Sequence, residues 1–245
     1  MNSKEILDKE NTDNSKEPSK KKSGFVLYLT LAGLFIASLV TCNLIFAKFF
    51  YWQPIGEIDF IFELSVGILP YPITFLITDL ISELFGRKRA NQVVMSGLIA
   101  SIFTYLIVIV ADAVPATDYS PVTDSQFTNV FGRTGIAVLA SMLAYLGAQF
   151  VDIRIFHFWK NLTNGKHLWL RNNFSTVFSQ FIDTSIVLIL LCLAGAIPWD
   201  KFWMLLLNGF LFKVLVALLD TPIFYLTSWW ARKHFNLKMG QEIEL

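Results

Sequence analysis

The chain carries little charge for its length. Of its 245 residues, Asp, Glu, Lys and Arg together make up 16%, whereas 54% are hydrophobic and 15% are aromatic. Soluble domains average about 25% charged residues, so this chain has too few to cover a water-exposed surface. Its basic residues form no stripe or face that would bind a nucleic-acid backbone. The composition therefore predicts a membrane protein without a nucleic-acid partner.

Signatures of catalysis and metal binding are also scarce. The two cysteines, Cys42 and Cys192, lie in apolar segments and lack the spacing of a metal or redox site. The sequence contains no His-Glu-x-x-His, Gly-x-Ser-x-Gly or Walker motif. Its three histidines fall near the predicted ends of apolar segments. We therefore predict no enzyme activity, no metal and no cofactor.

Long apolar runs, by contrast, are abundant. A bilayer core about 30 Å thick is crossed by about 20 residues of helix. Five uninterrupted runs reach this length, and a sixth segment contains two prolines. The predicted fold is all-α and polytopic, with six transmembrane helices and a second helix broken near Pro70 and Pro72. The predicted spans are residues 25–47, 60–84, 90–111, 134–157, 174–197 and 202–228.

Lys and Arg alternate between the predicted loops. The segments 87–89 and 160–171 are basic, whereas residues 112–132 contain three aspartates and no Lys or Arg. Because cytoplasmic loops are enriched in Lys and Arg, both termini are predicted to be cytoplasmic. Residues 1–23 are highly charged and predict a disordered cytoplasmic tail. Residues 24–235 form the predicted membrane domain, and residues 236–245 form a second cytoplasmic tail.

The most unusual stretch runs from Leu69 to Ala90, where an apolar segment contains two acids and ends in a basic cluster. Asp79 and Glu83 are four residues apart, so they share one face of a helix. Gly86 can end that helix. A charge at the bilayer centre costs about 2.5–3.5 kcal/mol on insertion scales, so these acids must face a partner, water or a ligand.

Other predicted spans also carry polar residues that can converge on this face. Gln149 shares a helix face with Asp152, and Gln180 shares one with Asp183. Lys213 is the one deeply placed cation of the predicted spans, with Asp183 or Asp79 as its expected partner. A surplus carboxylate would take up a proton or bind a ligand. The candidate substrate-binding residues are Asn43, Asp79, Glu83, Gln149, Asp152, Gln180, Asp183 and Lys213, and Tyr71 and Phe75 are candidates for stacking on a planar ligand.

Two of these candidates have a structural alternative. Asn43 suits an interhelical hydrogen bond, and Asp152 suits a position near the membrane interface. A functional role is favoured for Asp79, Glu83, Asp183 and Lys213, because helices are usually joined by neutral polar groups.

Several motifs together resemble those of one protein family. They are Pro-x-Pro-x-Thr-x-x-x-Thr-Asp-x-x-x-Glu-x-Phe-Gly-Arg-Lys-x-Ala at 70–90, Ala148-Gln149-x-x-Asp152, Leu168-Trp169-Leu170-Arg171-Asn172, Gln180-x-x-Asp183-Thr184, and Lys213 with Asp220-Thr221-Pro222. Over residues 25–235 the chain resembles the queuosine precursor transporter family, also called the vitamin uptake transporter family. Phe85 stands where Tyr is common in that family, which removes a hydroxyl but keeps the ring.

The resemblance implies a multi-pass protein of the bacterial inner membrane that imports precursors of the tRNA nucleoside queuosine. Its substrates would be 7-cyano-7-deazaguanine, 7-aminomethyl-7-deazaguanine or queuine. The fold would be related to substrate-binding components of energy-coupling-factor vitamin transporters. It also adds Asn172 to the candidate site, since its amide can bind a base together with Gln149 and Gln180. A carboxylate can accept two adjacent donors from a guanine-like edge.

Two alternatives remain open at the level of sequence. The chain would act as the substrate-binding subunit of an energy-coupling-factor-type transporter if it required a separate energising module. It would be a membrane-embedded hydrolase if Asp79 and Asp183 formed a catalytic pair, although the Gly-x-Gly-Asp setting of intramembrane aspartyl proteases is missing.

Overall fold

The structure is a computed structural model that describes residues 3–53, 62–132, 135–164, 166–193, 195, 197–238 and 240–244. The helices in these ranges are α1 (Ser3–Ile45), α2 (Tyr71–Ala113), α3 (Asp124–Phe127), α4 (Gly135–Leu162), α5 (Leu168–Leu193) and α6 (Phe202–Phe235). Short 3₁₀ turns precede α2 and α6, and a π turn follows α3.

Four helical segments of the described chain are long and apolar enough to cross a membrane. They are Lys20–Ile45, Val66–Ala113, Leu168–Leu193 and Trp199–Phe235. Large apolar side chains along these segments are exposed on the outside of the bundle. Extended apolar surface of this kind is suited to lipid rather than to water. The chain is therefore a helical membrane protein, as its composition predicts.

Gly86 divides α2 into two helical segments. Its backbone has φ 82° and ψ 171°, which is not helical. A positive φ is readily adopted by glycine because it has no Cβ. The predicted end of the helix at Gly86 is confirmed, and the break separates the acidic part of α2 from its long apolar part.

The start of α2 differs from the predicted span at 60–84. The helix begins at Tyr71 directly after Pro70, and Pro72 lies in its first turn, where a missing N–H costs no intrahelical hydrogen bond. The preceding segment forms strand β2 (Phe62–Ser65) and a 3₁₀ turn instead of helix. The prediction was wrong for this segment.

The strand β2 belongs to a small hairpin that the sequence analysis did not predict. It pairs antiparallel with β1 (Phe49–Trp52), so that Phe49 lies opposite Ser65 and Trp52 lies opposite Phe62. Residues 54–61 between the strands lie outside the described residues. Aromatic residues favour strands, and here they also pack on α6 through Phe212.

Helix α1 begins at Ser3, although residues 1–23 were predicted to be disordered. Lys and Glu, which are frequent in this segment, both have high helix propensity, so charge alone does not prevent a helix continuous with the apolar part. The cytoplasmic location of this segment stays a prediction.

The bundle is held together by contacts of α2 with α1, α4 and α6, and of α5 with α4 and α6. Its main core cluster contains side chains of α1, α2, α4 and α6, including Phe35, Ile81, Phe156 and Phe224, which are fully buried. After α6, Asn236 adopts a left-handed conformation and the chain turns back. Residues 240–244 then pack on the bundle instead of forming a free tail, because Ile243 joins the core.

Candidate functional site

A pocket with several polar side chains, here called the polar pocket, lies between α2, α5 and α6. Six of the sequence-predicted site residues line this pocket: Tyr71, Phe75, Asp79, Asn172, Gln180 and Lys213. The remaining lining residues are Pro72, Leu76, Thr176, Ala217 and Asp220. The first turns of α2 therefore lie against polar side chains of α5 and α6.

Hydrogen-bond acceptors dominate the polar side of this pocket. Asp79 is 1% exposed and accepts a hydrogen bond from the Thr176 hydroxyl at 3.4 Å. The side-chain oxygens of Asn172 and Gln180 are buried and accept no hydrogen bond within the described part of the chain. Buried acceptors are normally paired. The arrangement therefore suits a ligand that brings several N–H donors.

Aromatic rings form another wall of the polar pocket. Tyr71 and Phe75 lie with their ring centroids 5.5 Å apart, and both contact Tyr145, at 5.3 and 5.8 Å. These edge and tilted contacts fix the three rings in place, and the rings of Tyr71 and Phe75 line the pocket. A planar ligand can stack on such a wall.

Lys213 pairs with Asp183, one of the two partners that the sequence analysis allows. Its Nζ atom lies 2.7 Å from Asp183 Oδ2 and 3.0 Å from the Thr184 hydroxyl. The same ammonium lies 4.4 Å from the centroid of the Tyr71 ring, within the range of a cation–π contact. The ion pair thus joins α5 and α6 beside the first turn of α2.

A second, larger cavity, here called the hairpin pocket, also borders this ion pair. It is bounded by the β1–β2 hairpin and by α1, α5 and α6, and Asn43 and Asp183 line it. Tyr71 and Lys213 line both pockets. They therefore lie at the boundary between the hairpin pocket and the polar pocket.

Gln149 and Asp152 do not line the polar pocket but pack behind it. The Gln149 amide donates to the Tyr145 hydroxyl at 2.6 Å and accepts from Thr78 at 3.1 Å. Asp152 is fully buried, accepts from Ser179 at 2.9 Å and interacts with Asp79. Both residues are placed to fix the orientation of groups that reach the pocket.

Glu83 faces a separate set of charges, here called the Glu83 cluster (Glu83, Lys160, Arg232 and Glu242). It pairs with Arg232 and lies 3.9 Å from Lys160 Nζ, which also lies 3.2 Å from Glu242. Although Asp79 and Glu83 lie on the same helix face, one turn of helix separates the pocket from this ion-pair cluster.

Sequence reasoning missed four of these residues as parts of a buried site. Thr176 and Asp220 line the polar pocket, and Lys160 and Arg232 neutralise Glu83. Asp220 lies seven residues after Lys213, a spacing that puts both near one helix face. The two basic residues were interpreted only as cytoplasmic loop charges. The side chain of Arg171 lies outside the described residues.

Membrane helices that enclose a pocket with buried polar side chains are typical of membrane transporters. Residues 65–227 match the family model described as "Putative vitamin uptake transporter". The chain belongs to this vitamin uptake transporter family, which consists of transporters and not of enzymes.

Two relatives have a more specific name. A "Probable queuosine precursor transporter" of Bacillus subtilis is 26% identical over 162 residues, which cover 66% of this chain and 70% of the relative. A protein of the same name from Haemophilus influenzae is 26% identical over 164 residues, covering 66% of each chain. No solved structure matches the chain.

Proposed function

We propose that this protein imports queuosine precursors across a bacterial inner membrane and binds them in the polar pocket. The substrates are 7-deazaguanine bases, namely 7-cyano-7-deazaguanine, 7-aminomethyl-7-deazaguanine or queuine. The observation that carries the proposal is the position of Asp79 in the polar pocket, beside an aromatic wall and the buried side-chain oxygens of Asn172 and Gln180, which accept no hydrogen bond from the described residues. The names of the two relatives support the same substrate class.

The chemistry of a guanine-like base matches these acceptors. Its ring N–H and exocyclic amine are adjacent donors, and one carboxylate can accept both in a bidentate pair. Asp79 takes this role in the proposal, because it is the carboxylate of α2 that lines the polar pocket. The amides of Asn172 and Gln180 can bind the remaining polar edge, and Tyr71 and Phe75 can cover the ring face.

The boundary at Lys213 supports a route through the protein. The hairpin pocket and the polar pocket meet at Tyr71 and the Lys213–Asp183 pair. In a carrier, a substrate site is reached from the two sides of the membrane in turn. Separation of Lys213 from Asp183 would connect the two pockets, and the 2.7 Å ion pair between these residues would keep the pockets apart.

The proposed carrier has six membrane spans with both termini cytoplasmic. The two segments of α2 on either side of Gly86 count as separate spans, and α1, α4, α5 and α6 are the others. The basic residues 87–89 at the break then lie on the same side as the basic C-terminal end of α6. This arrangement is the one that the positive-inside rule favours.

Uptake of a labelled 7-deazaguanine base tests the proposal. Bacterial cells that cannot synthesise queuosine precursors should accumulate the label only when this chain is expressed as the sole added component. Asp79→Asn should abolish uptake, because an amide cannot accept both donors of the base edge. Asp118→Asn, which changes an exposed loop aspartate, is the matched control.

Membrane insertion of each variant is checked by quantifying the protein in the membrane fraction. Normal uptake by Asp79→Asn would remove Asp79 from the site. Uptake that requires added ATPase partners would instead indicate a substrate-binding subunit of an energy-coupling-factor-type transporter.

A further inference from the structure

The helix break at Gly86 leaves the last carbonyls of the first α2 segment without the partners of a continuous helix. Three of these carbonyls accept hydrogen bonds from distant parts of the chain. Ser82 O and Glu83 O accept from Lys160 Nζ at 3.4 and 3.2 Å, and Leu84 O accepts from the Ile243 N–H at 2.6 Å. The C-terminal residues thus complete a helix end in the interior of the bundle.

The segment that provides this contact is Gly240–Glu244, here called the C-terminal strap. Ile243 is only 9% exposed and belongs to the same core cluster as Leu84 and Phe235. Glu242 Oε1 lies 3.2 Å from Lys160 Nζ and thereby joins the Glu83 cluster. The strap is therefore fixed by one apolar side chain, one backbone hydrogen bond and one ion pair among the described contacts.

The strap packs against Leu84, Gly86 and Lys160, here called its seat. A Cβ atom added at Gly86 would meet the Glu242 carboxylate, the end of a flexible side chain, so the strap lies directly against this glycine. The positive φ of Gly86 is the stronger reason for glycine at this position.

The rest of the strap is loosely attached. Gln241 and Glu244 are exposed on either side of the buried Ile243. The turn that precedes the strap is closed locally, because the Gln241 N–H donates to Lys238 O at 3.1 Å. The strap can thus leave its seat without disrupting a helix, and its few contacts can form again.

We propose that the C-terminal strap is a removable closure of the bundle end at Gly86, and that its release opens that end. Gly86 lies seven residues after Asp79, about 10 Å along the helix. The strap lies outside residues 65–227 matched by the family model, whereas its seat lies inside them. Its role as the cytoplasmic closure of a substrate route rests on the proposed transport function, but its docking does not.

Thiol labelling tests the docking of the strap independently of transport. Ser82 is fully buried beside Lys160, so Ser82→Cys provides a small reporter in the seat. In the full chain, a maleimide should label this cysteine slowly. Ile243→Gln should increase the labelling rate at least fivefold, whereas the matched control Glu244→Gln should leave it unchanged.

The parent chain without Ser82→Cys corrects for labelling of Cys42 and Cys192, which are both buried. Equal labelling rates with and without Ile243→Gln would overturn the proposal. A faster rate in the Ile243→Gln variant, with a melting temperature close to that of the parent, supports release of the strap rather than unfolding.

A cross-link tests whether the strap must move. The variant Lys160→Cys with Glu242→Cys should lose at least 90% of its precursor uptake when a short bifunctional maleimide joins the two thiols. A monofunctional maleimide on the same variant is the control and should reduce uptake less than twofold. Full uptake after cross-linking would overturn the closing role.

If the parent chain transports no deazaguanine, the proposed function fails, and the labelling experiment still decides the docking of the strap.

Discussion

The polar pocket and the Glu83 cluster are built on the same face of α2, one helical turn apart, yet they are completed in opposite ways. In the cluster, Glu83 pairs with Arg232 and Lys160, so protein charges neutralise one another. In the pocket, the side-chain oxygens of Asn172 and Gln180 accept no hydrogen bond from the described residues. Burial of an acid therefore does not by itself indicate a binding site. A binding site is indicated where buried acceptor atoms face a cavity and not the charged groups of the protein.

The largest expected effect is a loss of stability on substitution of Glu83 in the Glu83 cluster. Glu83→Gln leaves Arg232 and Lys160 without their buried anion, and removal of one partner of a buried pair costs about 3–5 kcal/mol. The melting temperature of the purified protein should fall clearly, while uptake per folded molecule changes less than about twofold. If Glu83→Gln had a normal melting temperature and no uptake, Glu83 would belong to the binding site.

Substitution of the Lys213–Asp183 ion pair, at the boundary of the two pockets, should reduce both stability and uptake. Lys213→Met leaves Asp183 as an uncompensated buried charge and should destabilise the protein by about 3 kcal/mol or more. Adding Asp183→Asn should restore most of the melting temperature but not uptake, because Lys213 also lines the polar pocket. Recovery of uptake in the double variant would make the pair purely structural.

A smaller effect is expected for one amide of the pocket. Gln180→Leu removes a neutral hydrogen-bond partner of the base, which is worth about 1–1.5 kcal/mol, or about a tenfold increase in Kd. The melting temperature should not fall, because the Gln180 side-chain oxygen has no hydrogen bond to lose within the described chain. Gln92→Leu, at an exposed position, is the control. An unchanged Kd would remove Gln180 from the site.

The smallest effect is expected at the aromatic wall. Phe75→Leu keeps apolar volume but removes a ring, and stacking beyond area burial is worth about 0.5–1.5 kcal/mol. Binding of a 7-deazaguanine base should weaken by about three- to tenfold, whereas Phe75→Tyr should bind within about twofold of the parent. Equal binding by the Leu and Tyr variants would show that the ring does not stack on the ligand.

Sequence periodicity predicted which residues share a helix face, but not which helix covers that face. The end of the helix at Gly86 was predictable because it depends on local backbone chemistry. Because Lys213 needs a partner of opposite charge, the sequence limited its predicted partner to Asp183 or Asp79. The different environments of Asp79 and Glu83 were not predictable, because they depend on the packing of α4 and α6 against successive turns of α2.

The β1–β2 hairpin and the C-terminal strap were missed for a related reason. Residues 49–52 and 62–65 are short and aromatic, and their pairing joins two segments across a loop. The strap packs through a single apolar residue, Ile243, in a polar sequence. Such short non-local contacts leave no periodic signal along the chain.

In the proposed site, Asp79 accepts both adjacent donors of a guanine-like edge. Binding of two matched bases to the purified chain tests this role of Asp79. Kd is measured for 7-cyano-7-deazaguanine and for the same base without its exocyclic amine, with the parent protein and with Asp79→Asn. The parent should bind the complete base at least about tenfold more tightly, because a charge-assisted hydrogen bond is lost with the amine. Asp79→Asn should bind both bases weakly and with similar Kd values. Equal affinity of the parent for the two bases would contradict the account.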